Sequence, residues 1–131
     1  MGVQKNTYLP LTKSQSALWA GQRLHPDVPL HNVVYTFAIN GPIDKIIFEK
    51  SFQKVIDSTD ALRTVFSEEQ GIPSQHLVDT IDFSLEFIDF THNSKDEELK
   101  DWLHERTLLL MDISKQVFDI VLLKTAPNTY V

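Results

Sequence analysis

No cysteine occurs among the 131 residues. A disulfide framework, a thiolate nucleophile and a cysteine-ligated metal are therefore excluded, and stability must come from packing. Glycine is scarce as well: four isolated residues leave no glycine-rich loop to cradle phosphates. No apolar run approaches the roughly 20 residues that span a bilayer. The first six residues carry one lysine and no apolar run, unlike a secretory signal, so a cytoplasmic setting is expected. Positive charge is the minority sign, with 12 Lys and Arg against 18 Asp and Glu for a formal net charge of −6. The basic residues are also scattered, which argues against a surface that tracks nucleic-acid phosphates.

What is present fits one soluble globular domain. A hydrophobic share of 42% and a charged share of 23% are ordinary for that class. A chain of this length buries about two thirds of its unfolded surface around one core.

Tyr8, Leu9, Pro10 and Leu11 read as an extended lead-in, because proline biases its predecessor away from helix. Thr12, Lys13, Ser14 and Gln15 have the form of a capping box, followed by Leu18, Trp19 and Gln22 on a short helix. Pro26 and Pro29 mark a loop. Residues 33–39 are rich in β-branched and aromatic side chains and predict a strand that stops at Asn40, Gly41 and Pro42. Asp44 can cap a helix with Ile47, Phe48, Phe52, Val55 and Ile56 as its apolar stripe and Lys45, Glu49, Lys50 and Lys54 on the wet side.

Residues 62–67 predict a further strand, and Glu69, Gln70 and Gly71 a turn into a partner strand over 73–78. A strand over 84–90 follows, with Leu85, Phe87 and Asp89 on one face and Glu86, Ile88 and Phe90 on the other. Ser94 and Glu97 repeat the capping-box spacing, and acidic Asp96, Glu97, Glu98 and Asp101 suit a helix N-terminus. Leu99, Trp102, Leu103, Arg106 and Leu110 form the face of that third helix. Residues 117–123 predict an apolar strand, and Pro127 and Asn128 a turn into Thr129, Tyr130 and Val131. These last three read as the start of an unfinished strand with an unpaired edge suited to association.

The catalytic candidates are few. His25, His31, His76, His92 and His104 lack metal-ligand spacing, and His104 beside Glu105 and Arg106 reads as solvated or packed rather than as a base. Ser14, Ser16, Ser58 and Ser67 have no nucleophile elbow. Glu68 with Glu69, and Glu97 with Glu98, are adjacent in sequence and would diverge. Trp19 and Trp102 read as core in preference to a ligand tunnel. Arg63 stands at an element junction. Strand alternation puts Leu62, Thr64 and Phe66 on one side and Ala61, Arg63 and Val65 on the other. A surface charge and a buried ion pair are equally open readings of it.

Three ordered segments narrow the choice: Leu11, Thr12, Ser14, Gln15, Leu18 and Trp19; the strand ending in Gly41 before Asp44; and Leu62, Arg63, Thr64, Val65 and Phe66. Together they resemble the opening of a condensation domain of nonribosomal peptide synthetases. The turn around Gln70, Gly71, Pro73 and Gln75 is similar to that family's hairpin. The resemblance implies an α+β fold, a two-layer α/β sandwich forming one incomplete lobe of the chloramphenicol acetyltransferase-like fold. Residues 1–8 would be a lead-in and residues 9–131 the N-terminal part of the domain. Thr12, Gln15, Trp19, Leu62, Arg63, Thr64 and Phe66 are then structural motif residues. Ser58, Thr59 and Asp60 replace the family's usual arginine, histidine and glutamate, which leaves the subtype open.

The family's histidine-histidine-x-x-x-aspartate-glycine motif is not found before Val131, so no catalytic residue is assigned and the fragment is expected to be inactive alone. Arg63 would pair with that motif's aspartate as a brace. No directly bound cofactor is implied, because substrates ride on the phosphopantetheine of carrier proteins. Partners would be the remainder of the domain and the peptidyl or acyl carrier proteins, with no nucleic acid and no membrane. The alternatives are a stand-alone carrier-docking or self-associating module, or another acyltransferase of the superfamily.

Overall fold

In the computed structural model, residues 7–92 and 96–131 are described, Asp96 by its backbone only. Thr12 ends the lead-in and starts α1 (Lys13–Leu24). Its hydroxyl accepts the Gln15 amide at 3.2 Å, and the Gln15 side-chain oxygen accepts the Thr12 amide at 2.8 Å. The predicted capping box is formed, satisfying two amides that helix geometry leaves without partners. Thr12→Ala should cost about 1 kcal/mol in a urea melt and Thr12→Ser much less. Equal losses for the two would show that the hydroxyl does not act as the cap.

Helix α2 (Lys45–Ser58) is capped by Asp44, whose carboxylate accepts the amides of Ile46 and Ile47 at 2.9 and 3.0 Å. The helix is rotated from its predicted stripe. Ile47 and Val55 lie 64% and 49% exposed, Ile56 is fully buried, and Glu49 and Gln53 are half-buried. The reason is the segment α2 faces. Residues 81–85 lie outside every strand, so their backbone takes partners from the helix. Gln53 Oε1 accepts the Phe83 amide at 2.9 Å, Gln53 Nε2 donates to the Ile81 carbonyl at 2.9 Å, and Glu49 Oε2 accepts the Leu85 amide at 3.0 Å. Glu49 and Gln53 are four apart and share a helix face, so they can serve one extended segment.

The strands divide between two sheets. One has the order β1 (Leu9–Pro10), β4 (Ile72–Leu77), β3 (Thr64–Glu69), all antiparallel. Its hairpin turns on Gln70 and Gly71, both at positive φ (52° and 79°), the conformation a two-residue turn needs to match strand twist. The other runs β2 (Ile39–Asn40), β7 (Thr129–Tyr130), β6 (Val121–Ala126), β5 (Glu86–Asp89). There β5 and β6 are parallel, and α3 (Asp96–Thr107) supplies the crossover between them. Ile56, Val65 and Ile81 form one buried cluster, and Leu85, Leu122 and Tyr130 another, with Phe83 packing against both. No helix among the described residues is long and apolar enough to cross a membrane.

Several expectations need correction. Residues 60–63 are a 3-10 turn, so β3 starts at Thr64, and the alternation assumed for Leu62 and Arg63 does not apply. Of the strand predicted over 33–39 only Ile39 is paired, together with Asn40 just beyond it. A ladder exists only where a partner lies alongside, and β7 reaches just those two residues. Val33, Tyr35 and Phe37 are left 70–76% exposed. Residues 117–120 precede β6 as irregular chain, and Leu110 lies beyond the end of α3, half-exposed. The 129–131 edge is not unpaired, because β7 sits between β2 and β6, and Val131 and Leu123 exchange both backbone hydrogen bonds at 2.8 Å. The predicted cap at Ser94 lies outside the described residues.

Candidate functional site

The first and third motif segments meet across β4. Phe66 of β3 is in register with Gln75 of β4, and Gln75 exchanges amide hydrogen bonds with Gln15 of α1 at 2.9 and 3.1 Å. Gln75 Nε2 also donates to the Pro10 carbonyl at 3.2 Å. Thr12, Gln15, Gln75 and Phe66 thus form one connected unit, and a 3.1 Å ion pair between Arg23 and Glu68 ties the far end of α1 to β3. Trp19 lies half-buried on α1.

At the start of β3, Leu62 packs against the Ile56 cluster, and the Thr64 hydroxyl donates to the Asp60 carbonyl at 2.9 Å, holding the 3-10 turn. Arg63 has local acceptors. Its Nη1 donates to the carbonyls of Val78 and Asp79, each at 3.0 Å, and its Nη2 to Asp60 at 2.8 Å. The Arg63 side chain is 15% exposed and Asp60 76% exposed, so this is an ion pair at the surface with a sheltered cation. Asp60, one of the three residues that depart from the family's usual lead, thus gives Arg63 a carboxylate close by in the chain. Arg63 Nε is buried and has no partner among the described residues.

A second polar constellation has no announcement in the sequence pattern. Arg106 of α3 donates from Nε and Nη2 to Asp119 at 2.6 and 2.8 Å, and from Nη2 to Glu86 of β5 at 2.8 Å. Its guanidinium lies 5.5 Å from the Trp102 ring centroid. The bonds to Asp119 hold its pKa above the ordinary value, against the opposing effect of burial. Beside it opens a cleft of about 530 Å³, walled by Val33, Tyr35 and Phe37 on one side and Ile120 and Leu122 on the other, with Val131 also lining it. The lining is largely apolar, and the Arg106 fork is already occupied by carboxylates. Helical spacing marks Arg106 only as a helix-face residue, since nothing local points to a partner 13 residues on.

Among the described residues the remaining titratable groups form no reactive cluster. No group of three His, Asp or Glu among the described residues is arranged to hold a metal ion. His76 lies 4.5 Å from the Tyr8 ring, and its buried Nδ1 has no partner among the described residues. Asp112 is lowered to about 2 by hydrogen bonds from Ser114 and Lys115, which fix the turn after α3.

Comparison with known proteins gives the family and the fold. The family model described as "Condensation domain" matches residues 5–130. The isonitrile lipopeptide synthase of Streptomyces coeruleorubidus is 31% identical over 124 residues, covering 92% of this chain and 8% of that protein. The dimodular nonribosomal peptide synthase of Bacillus subtilis is 31% identical over 94 residues, 72% of this chain and 4% of that protein. Among solved structures, the starter condensation domain of rhizomide synthetase superposes with a TM-score of 0.83 at 26% identity, over 95% of this chain and 30% of that one. The first condensation domain of the calcium-dependent antibiotic synthetase, at 19% identity and a TM-score of 0.81, supports the fold alone. The chain therefore spans a small part of the relatives it matches, under a third of the solved domain, with the chloramphenicol acetyltransferase-like fold of that part. This chain belongs to the condensation domain family of nonribosomal peptide synthetases.

Proposed function

We propose that the chain forms the N-terminal portion of a condensation domain whose complete form joins a carrier-protein-tethered acyl or peptidyl donor to an aminoacyl acceptor through an amide bond. The acceptor amine would attack the donor thioester carbonyl, forming the C–N bond and releasing the carrier thiol. The observation that carries this reading is the union of the motif residues Thr12, Gln15 and Phe66 through Gln75, within a fold that superposes over 95% of the chain on a condensation domain. In this reading the 131 residues supply scaffold rather than chemistry. Positioning two tethered substrates needs walls on both sides of a channel, and no general base is assembled among the described side chains. The setting is the cytoplasm, where carrier proteins bring both substrates on phosphopantetheine. The test is amide formation from a loaded donor and acceptor carrier protein, read by mass spectrometry. The chain alone should give no product, and the same residues joined to the remainder of a condensation domain should give it. Product from the chain alone, or none from the joined protein once it is shown to be folded, would overturn the reading.

Arg63 is the brace of this scaffold. Its Nη atoms are occupied, and its buried Nε is the donor left for a carboxylate contributed by the rest of the domain. Arg63→Ala should cost this chain about 1–2 kcal/mol, from the lost bonds to Val78 and Asp79 and an exposed ion pair of little weight. In the complete domain the loss should exceed about 3 kcal/mol, because a buried carboxylate would be stranded. Paired thermal melts check this: equal losses in the two proteins would mean that Arg63 braces only its own loop.

A further inference from the structure

The sequence contains one Asn-Gly pair, Asn40 and Gly41, and it stands at the end of β2. Such a pair carries a chemistry of its own. The backbone nitrogen after an asparagine can attack the side-chain Cγ and close a five-membered ring, and glycine in second place leaves that nitrogen unshielded. Asn32 and Asn128 are followed by Val33 and Thr129, whose branched Cβ crowds the same approach. Asn32 is also held by its Nδ2 bonds to the carbonyls of Thr107 and Leu109, at 3.2 and 2.7 Å. Asn40 is exposed, and its side chain makes no hydrogen bond among the described residues. The space beside Gly41 is open, since a Cβ built there would meet no atom within 4 Å.

Two features of the fold hold this reaction back. The Gly41 amide donates to the Asn128 carbonyl at 2.8 Å, and a nitrogen so engaged is not free to lose its proton or turn toward Cγ. Ile39 and Asn40 are drawn out opposite Tyr130 and Thr129. This ladder is two residues long, lies at the edge of its sheet and follows residues 33–38, which join no strand. It therefore belongs to the part of the fold that opens locally, well before the whole chain unfolds.

We propose that Asn40 is a deamidation site gated by the pairing of β2 with β7. When the edge opens, the Gly41 nitrogen bonds to Asn40 Cγ and the Cγ–Nδ2 bond breaks. The side-chain nitrogen leaves as ammonia, carrying the proton given up by the Gly41 amide. Water then opens the succinimide at either carbonyl. Attack at Cγ gives aspartate, and attack at the main-chain carbonyl gives isoaspartate, whose backbone runs through Cβ and Cγ and is longer by one methylene. Both products add a negative charge to a chain whose formal net charge is already −6. The longer backbone of isoaspartate also moves the Gly41 amide out of register with Asn128, so the gate, once passed, does not close again. The inference rests on covalent chemistry and strand pairing and does not depend on the amide-forming reading.

The test incubates the 131-residue chain and a synthetic peptide of residues 36–46 at mildly alkaline pH, and follows the change from amide to acid by mass spectrometry after cleavage at lysine. Cleavage at Lys45 and Lys95 places Asn40 and Asn93 on different fragments, so the two are read separately. The peptide should convert to a mixture of aspartate and isoaspartate at Asn40, and the chain should give the same products at least about tenfold more slowly. Thr129→Gly, which loosens the strand opposite Asn40, should speed conversion in the chain severalfold. Ile56→Val weakens the fold as a whole and should leave the rate unchanged, because the opening is local. No conversion in the peptide would overturn the site. Equal rates in chain and peptide would overturn the gate, whether the edge opens freely or never forms. An unchanged rate in Thr129→Gly, or a rise of about fivefold in Ile56→Val, would show that β2 pairing does not control it.

Discussion

Ile56→Ala is expected to destabilise the chain by about 3 kcal/mol, read as a shift of the urea midpoint at constant slope. Ile56 is fully buried at the point where α2 meets β3 and the segment after β4. Val65 and Ile81 form the cluster with it, and Leu62, Val78, Phe83 and Phe118 pack around it. These neighbours come from separate parts of the chain, so the cavity left by the lost carbons cannot close by moving one element. Ile56→Val should cost about 1 kcal/mol, in keeping with a single lost methylene. Ile47→Ala, on the same helix, should stay within about 0.5 kcal/mol because that side chain is largely exposed. Losses of similar size at Ile47 and Ile56 would mean that α2 packs through the stripe read from sequence, not through the face seen here.

That contrast shows what the sequence could convey. Local chemistry was legible: the caps at Thr12 and Asp44, and the hairpin turn at Gln70 and Gly71, depend on residues within a few positions of one another. The phase of α2 was not. Ile46, Ile47, Phe48 and Val55 surround much of the helix, and the choice of face was made by Gln53 and Glu49 bonding to the distant residues 81–85. Residues 33–38 have strand composition and yet lie unpaired, because pairing belongs to a partner and not to the segment itself. In residues 60–66 the motif was recognisable while its geometry was not. The Thr59 carbonyl accepting the Leu62 amide and the Thr64 hydroxyl bonding the Asp60 carbonyl turn the first half into a 3-10 helix. The tie between Gln15 and Gln75 had no signal in either residue's neighbourhood, since 60 positions separate them.

The seam between α2 and residues 81–85 gives the second large effect. Gln53→Ala should cost about 2 kcal/mol in the same urea assay, because the Phe83 amide and the Ile81 carbonyl would lose their partner at a half-buried seam. An amide side chain suits this place for a specific reason: it accepts from one backbone group and donates to another two residues earlier, as a neighbouring strand would. Gln53→Glu keeps the acceptor for Phe83 but sets a carboxylate oxygen against the Ile81 carbonyl, so it should lose about as much as alanine at neutral pH. Gln53 also donates to Asp57 at 2.8 Å on the exposed side, and that contact is worth about 0.5 kcal/mol at most. Gln53→Met separates hydrogen bonding from packing. It preserves the side-chain length while removing both bonds, and should still lose more than about 1 kcal/mol. A neutral Gln53→Met would assign the seam to packing of Ile81, Phe83 and Leu85 alone, and the rotation of α2 would then follow from burial of Phe48, Phe52 and Ile56 without help from its polar residues.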